Sequence, residues 1–120
     1  MTIGEAKDLV HAQFLCGEDM KDVEIHSACG SDLMSDVLAF AKDAAILVTG
    51  LCNPQSVRTA EMMDIKCLLY VRDKKPTPEM IRLADEAGIA ILVTGHRMFM
   101  TCGLLYEGGL RGGSDYERFA

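Results

Sequence analysis

Two spacings of apolar positions alternate along this chain. Stretches with apolar residues three and four apart, the period of a helix lying on a core, are separated by short apolar runs of strand length. Ile3, Ala6, Leu9 and Val10 share one face of a helix expected over about 3–13, opened by the capping-box spacing of Thr2 and Glu5. Phe14-Leu15-Cys16 is a brief apolar run stopped by Gly17-Glu18-Asp19. Val23, Ile25 and Ser27 alternate with Glu24, His26 and Ala28, the pattern of a half-exposed strand, and Gly30 closes it. Ser31 is placed to cap a second helix running to about Ala41, with Leu33, Val37 and Phe40 on one side. A strand over 44–49 follows. Asn53-Pro54 then opens a helix to about Met63, Asn as cap and Pro in the first helical position. After a strand over 66–71, Arg72 to Pro76 read as a charged surface loop, and Thr77-Pro78 repeats the cap-and-proline start. Met80, Leu83, Ala84 and Ala87 stripe that helix, Gly88 ends it, and a strand over 89–93 leads to a last helix over about 96–106.

The pattern also repeats. Ala45-Ile46-Leu47-Val48-Thr49-Gly50 returns as Ala90-Ile91-Leu92-Val93-Thr94-Gly95, and Leu38-Ala39 returns as Leu83-Ala84 at the same offset. A looser copy, Cys67-Leu68-Leu69-Tyr70-Val71, lies midway, so a helix–strand unit recurs at intervals of 22 and 23 residues. Regular alternation of this kind predicts an α/β fold: three layers, α/β/α, around a mainly parallel central sheet. Its strand ends would gather along one edge, bringing two Thr-Gly corners to a shared rim. The 120 residues suffice for one domain, expected over 1–107, with the glycine-rich remainder over 108–120 expected as a flexible tail.

Charge narrows the functions. The net charge of −6 and scattered basic residues argue against a broad nucleic-acid or anionic-membrane footprint, while leaving room for a local anion site. No apolar run reaches the roughly 20 residues of a membrane helix, and the first residues carry acids rather than an apolar signal core. A cytoplasmic location is expected. Five cysteines, an odd number with no CxxC, fit reduced thiols, with Cys67 buried in a strand. Cys29, Cys52 and Cys102 fall at turns or strand ends and are the candidates for a three-thiolate metal or iron–sulfur site. They lack the local ligand pair that usually anchors one. No cofactor is expected.

The Thr-Gly corners are the sharpest lead. In open parallel sheets ligands bind beyond the carboxyl ends of the strands, where helix N-termini present free N–H groups. Ser31, Asp32, Thr49, Gly50, Asn53, Thr94, Gly95 and His96 are therefore the candidate binding residues, for a small anionic metabolite or nucleotide. The plainer alternative is that Gly permits the turn while Thr or Asn caps the next helix. Neither corner is a P-loop or a dinucleotide fingerprint. Asp32 and Asp36, four apart, suit cation binding or simply the positive end of a helix. His11 and His26 fit surface positions, and no Ser or Cys has the setting of a nucleophile.

Several segments together resemble the DRTGG domain family: Ser31-Asp32-Leu33-Met34-Ser35-Asp36-Val37-Leu38, the Asn53-Pro54 turn, and Pro76-Thr77-Pro78 followed by Glu86 to Thr94. The resemblance spans about residues 2–107. It extends to the N-terminal domain of HPr kinase/phosphorylase and to the three-layer N-terminal domains of MurF type. The name-giving motif is altered, since His26-Ser27-Ala28-Cys29-Gly30 stands where Asp-Arg-Thr-Gly-Gly would be expected. The resemblance implies a non-catalytic regulatory role, ligand sensing or assembly, and a homodimer. Relatives sit beside phosphotransacetylase domains, between the CBS modules of some pyrophosphatases, or near hydrogenase genes. A hydrogenase or phosphotransfer protein is accordingly an expected partner if the role is docking.

Overall fold

The computed structural model describes residues 1–41 and 44–113; the side chain of Phe40 and residues 42, 43 and 114–120 lie outside the described residues. The elements are α1 (Ile3–Leu9), β1 (Gln13–Cys16), a 3₁₀ turn (Glu18–Met20), β2 (Ala28–Gly30) and α2 (Met34–Phe40). They continue as β3 (Ile46–Thr49), α3 (Pro54–Met62), β4 (Cys67–Tyr70), α4 (Pro78–Glu86), β5 (Ala90–Val93) and α5 (Met98–Glu107). One sheet runs in the order β1-β5-β4-β3-β2. Strands β2 to β5 are parallel, and β1 closes the β5 edge antiparallel.

Both faces of the sheet are covered, which is why β3 and β4 are buried at every position rather than at alternate ones. Alternate side chains feed two cores. Ile46, Val48, Cys67, Leu69, Ala90 and Leu92 pack with Ile3, Ala6, Val10 and Leu105, beneath α1 and α5. Leu47, Leu68, Tyr70 and Ile91 pack on the opposite face with Val37, Val57, Ala60, Met80 and Ala84, beneath α2, α3 and α4. The fold is thus the expected α/β/α sandwich, and the two long repeats are β3 and β5, each one strand away from β4.

Helix starts agree with the expected caps where a side chain closes them. Thr2 and Glu5 form the reciprocal capping box, at 3.1 and 3.0 Å. Asn53 and Thr77 accept from the N–H groups of Ser56 and Met80, and each is followed by Pro in the first turn.

Elsewhere the structure corrects the pattern. The apolar run Phe14-Leu15-Cys16 is part of β1, bent by an irregularity between Phe14 and Cys16. Gly17 then turns at φ 80°, passing so close to Ala90 that an added Cβ would lie 2.6 Å from its Cα. The strand expected over 23–28 is instead an extended segment making single bridges, Thr2 with Glu24 and Ser27 with Arg111, and the regular strand begins at Ala28. Ser31 does not cap α2: the helix begins three residues later, with Leu33 at the N-cap and 57% exposed. Of the tail expected over 108–120, Leu110 is a core residue and Arg111 exchanges backbone hydrogen bonds with Ala28 and His26, while residues 114–120 lie outside the described residues. Among the described residues no helix is long and apolar enough to cross a membrane.

Candidate functional site

Because β2 to β5 are parallel, their carboxyl ends share one edge, and α2 to α5 all start there. Thr49 lies level with Tyr70 and Tyr70 with Val93, so the two Thr-Gly corners flank the end of β4, two strand spacings apart, or roughly 10 Å. Sequence repetition had placed these corners side by side. What lies between them is new.

The β3 corner is closed from within. Asp32, in the loop leading to α2, accepts the Gly50 N–H at 2.6 Å and the Thr49 hydroxyl at 3.2 Å. A carboxylate of the chain itself thus occupies the position where an external anion would meet that amide. This demand explains the late start of α2: Asp32 turns back to β3, while Ser31 Oγ accepts from the Leu33 N–H at 3.1 Å. Thr49 Oγ1 in turn accepts from the Leu51 N–H. Asn53 is committed to its cap, and Ser56 behind it shares a 2.6 Å hydrogen bond with the buried Tyr70 hydroxyl.

The β5 corner is also tied inward. Thr94, buried, donates to Val10 O at 2.7 Å and accepts from the His96 N–H at 3.2 Å. His96 stands against His11, Nε2 to Nδ1 at 3.1 Å, a proximity hidden by the 85 residues that separate them in the chain. Both threonine hydroxyls are therefore spent on holding the corners; what reaches solvent is what they hold.

Between the corners the turn after β4 carries Arg72 and Asp73 at φ 61° and 56°, consecutive left-handed residues that are neither Gly nor Asn. Backbone bonds hold them there: Arg72 N–H to His96 O at 2.8 Å and Asp73 N–H to Thr94 O at 3.0 Å. Such strain gathers at functional sites. The turn delivers one charge to each corner. A Cβ on Gly50 would lie 2.6 Å from Arg72 Nη2, and one on Gly95 would lie 3.1 Å from Asp73 Oδ1. Glycine at the two corners thus makes room for side chains from the turn after β4. Sequence reasoning passed over Arg72 and Asp73 as surface charges; a charged pair immediately after the middle repeat strand was the available signal.

The rim is suited to negative charge at one place. Arg72 is exposed, and among the described residues no carboxylate pairs with its guanidinium. The N-terminus of α5 starts on the same edge without a side-chain cap, leaving N–H groups and the positive dipole end available.

The cysteines are dispersed. Cys29 and Cys52 pack against the core under α2 to α4, and Cys102 against the core under α5, with the sheet between. Among the described residues no three His, Cys, Asp or Glu side chains converge on a metal position. Burial pushes the Cys16, Cys52 and Cys102 thiols up, and Cys67 furthest, away from thiolate chemistry at neutral pH. A cavity of about 380 Å³ lies between β2–β3 and α5, lined largely by Ala28, Val48, Cys102, Leu105, Tyr106 and Leu110.

No family model matches the chain, and no curated protein matches it. A similar solved structure comprises the CBS and DRTGG domains of the regulatory region of Clostridium perfringens pyrophosphatase, complexed with its activator, diadenosine tetraphosphate. The match has a TM-score of 0.71 at 17% identity and covers 87% of this chain. The chain has a DRTGG-like fold. It corresponds to 45% of that chain's length, so the likeness concerns architecture and leaves the whole protein's activity aside.

Proposed function

We propose that this chain is a non-catalytic, ligand-sensing regulatory module of the DRTGG type, acting in the cytoplasm. It would hold a small anionic metabolite or nucleotide at the carboxyl edge of its sheet. Ser31, Asp32, Thr49, Gly50, Asn53, Thr94 and Gly95 shape the rim, and Arg72, with the open N-terminus of α5 beside His96, meets the charge. The observation carrying this reading is the Arg72 guanidinium, which no carboxylate pairs among the described residues, presented over Gly50 by a strained turn. A strained turn that projects a cation with no carboxylate partner among the described residues gains its use from an arriving phosphate. The nucleotide activator of the Clostridium pyrophosphatase region supports the choice of ligand class. A thermal-shift and calorimetric series with pyrophosphate, ATP and dinucleoside polyphosphates tests it. Stabilisation by at least one, lost in Arg72→Gln, is expected; no stabilisation by any overturns the sensing role.

A second reading has its own observation. Helix α5 leaves Phe99 90%, Met100 50% and Tyr106 55% exposed, beside a shallow groove at Gly103. An apolar helix face of this kind suits assembly, either as a two-fold homodimer or by docking a hydrogenase-type or phosphotransfer protein. Light scattering on the wild type and on Phe99→Glu decides the homodimer: a monomer in both excludes it.

A further inference from the structure

Helix α5 is apolar on both of its faces. Thr101 and Leu105 are buried against the sheet, and the only charged residue of the helix is its last, Glu107. Phe99, Gly103 and Tyr106 follow the i, i+4, i+7 spacing of one helical face, and all three are exposed, with Met100 beside them. A helix lying on a sheet ordinarily turns polar side chains outward there. Gly103 stands at the middle of this face. Its φ is not positive, and an added Cβ would meet no atom within 4 Å. The packing of the chain itself therefore makes no use of a glycine, which weakens a helix interior relative to alanine. A glycine at that place lets a second backbone come close.

The same face borders a hollow. The cavity under α5 adjoins the shallow groove along Phe99 and Gly103, and Cys102 and Tyr106 line both. A dry cavity of about 150 Å³ holds benzene, so the volume of about 380 Å³ admits a phenyl ring. Its wall at Tyr106 is fixed in advance. Arg111 Nη1 donates to the carbonyls of Tyr106 and Leu110, each at 2.9 Å, and the guanidinium carbon lies 4.1 Å from the centre of the Tyr106 ring.

A projecting ring, a gap and a hollow thus follow one another along α5. Phe99 and Tyr106 are about 10 Å apart along the helix axis, with Gly103 between them. A two-fold axis through the gap brings the ring of each copy to the hollow of the other, because a two-fold interface uses one patch on both subunits. The two helices then run antiparallel, and the start of one lies beside the end of the other. Arg97 at the start and Glu107 at the end are exposed, and neither is in an ion pair among the described residues. Their opposite charges match across such a contact.

We propose that a second copy of this chain packs its α5 antiparallel across Gly103, with each Phe99 ring seated in the partner's cavity beside Tyr106 and Cys102, and each Arg97 facing the partner's Glu107. The inference rests on the assembly reading, to which it adds the occupant of the cavity and the register of the helices. It stands whether or not Arg72 binds an anion.

Sedimentation equilibrium on the full reduced chain is expected to show a concentration-dependent dimer. Phe99→Ala should weaken it about a hundredfold or more, since each dimer loses two buried rings. Gly103→Leu separates fold from assembly: nothing in the chain opposes the new side chain, so the urea midpoint should hold or rise while the dimer is lost. Charge exchange tests the register. Arg97→Glu and Glu107→Arg should each weaken the dimer, and both suit the helix dipole, so the monomer stays folded. The double variant should recover most of the loss, and only across the interface, because the two positions are about 15 Å apart along one helix. Isotope-filtered NOE spectra of mixed labelled and unlabelled wild-type chains should place Phe99 against Tyr106 and Val48 of the partner subunit. A wild-type monomer overturns this arrangement and the homodimer reading together. A dimer unaffected by Phe99→Ala and Gly103→Leu, no recovery in the double variant, or spectra without intermolecular contacts from Phe99 overturns this arrangement alone.

Discussion

Gly50→Ala is a minimal perturbation that separates the proposed anion site from the fold. Gly50 lies outside the left-handed region, so its backbone accepts alanine. The new Cβ would stand 2.6 Å from Arg72 Nη2 and 3.4 Å from Asp32 Oδ1. The second contact is ordinary; the first forces the guanidinium back by the better part of an ångström. A guanidinium at the end of a flexible chain moves at little cost, and alanine narrows the unfolded ensemble by about 0.4–1 kcal/mol. Stability should therefore stay within about 1 kcal/mol of wild type, read as the urea midpoint. Binding should suffer more, because a hydrogen bond to a charged group is worth about 1.5–3 kcal/mol, or roughly 10- to 150-fold in Kd. The assay is calorimetry with pyrophosphate on wild type, Gly50→Ala and Arg72→Gln. If Gly50→Ala binds as wild type while Arg72→Gln does not, the placement of Arg72 over Gly50 has nothing to do with binding. A large fall in midpoint would refute the claim that only a side chain has to yield.

Three further outcomes follow from the same geometry. Gly17→Ala should destabilise by about 2–5 kcal/mol in urea titrations, since a left-handed backbone and a collision with the β5 backbone at Ala90 both oppose it. Arg72→Gly should abolish anion binding yet hold or raise stability by up to about 1 kcal/mol, because it relieves a left-handed non-glycine residue; a clear loss of stability would show that the turn is not strained. Burial raises the Tyr70 phenol, against the opposing pull of its Ser56 hydrogen bond, from an ordinary value of 10.0. The folded state then keeps a proton that the unfolded chain releases, so this stabilisation is whole below pH 10 and declines above it. Tyr70→Phe should cost about 0.5–1.5 kcal/mol at neutral pH and flatten the alkaline decline, leaving the part due to the raised thiols of Cys67, Cys16, Cys52 and Cys102. An unchanged alkaline slope would count against it.

Much of this molecule could be read from local order. The capping box at Thr2 and Glu5, the Asn53-Pro54 and Thr77-Pro78 starts, and the strand pair at Ile46–Thr49 and Ala90–Val93 depend on neighbours a few residues away. Their repetition at a fixed interval was enough to set a mainly parallel sheet with two Thr-Gly corners on one edge, because strands joined by helices in the same sense end on the same side. What each corner is used for was decided in three dimensions. Asp32 lies outside α2 and accepts instead from the Gly50 amide just after β3, at 2.6 Å. Arg72 and Asp73 become rim residues because left-handed turns, held by carbonyls from the β5 loop, aim them at two glycines. His11 meets His96 only after β1 has paired with β5. Pattern records which residues share a face of one element. Contacts between the ends of different elements depend on how the elements are packed, and no periodicity carries that.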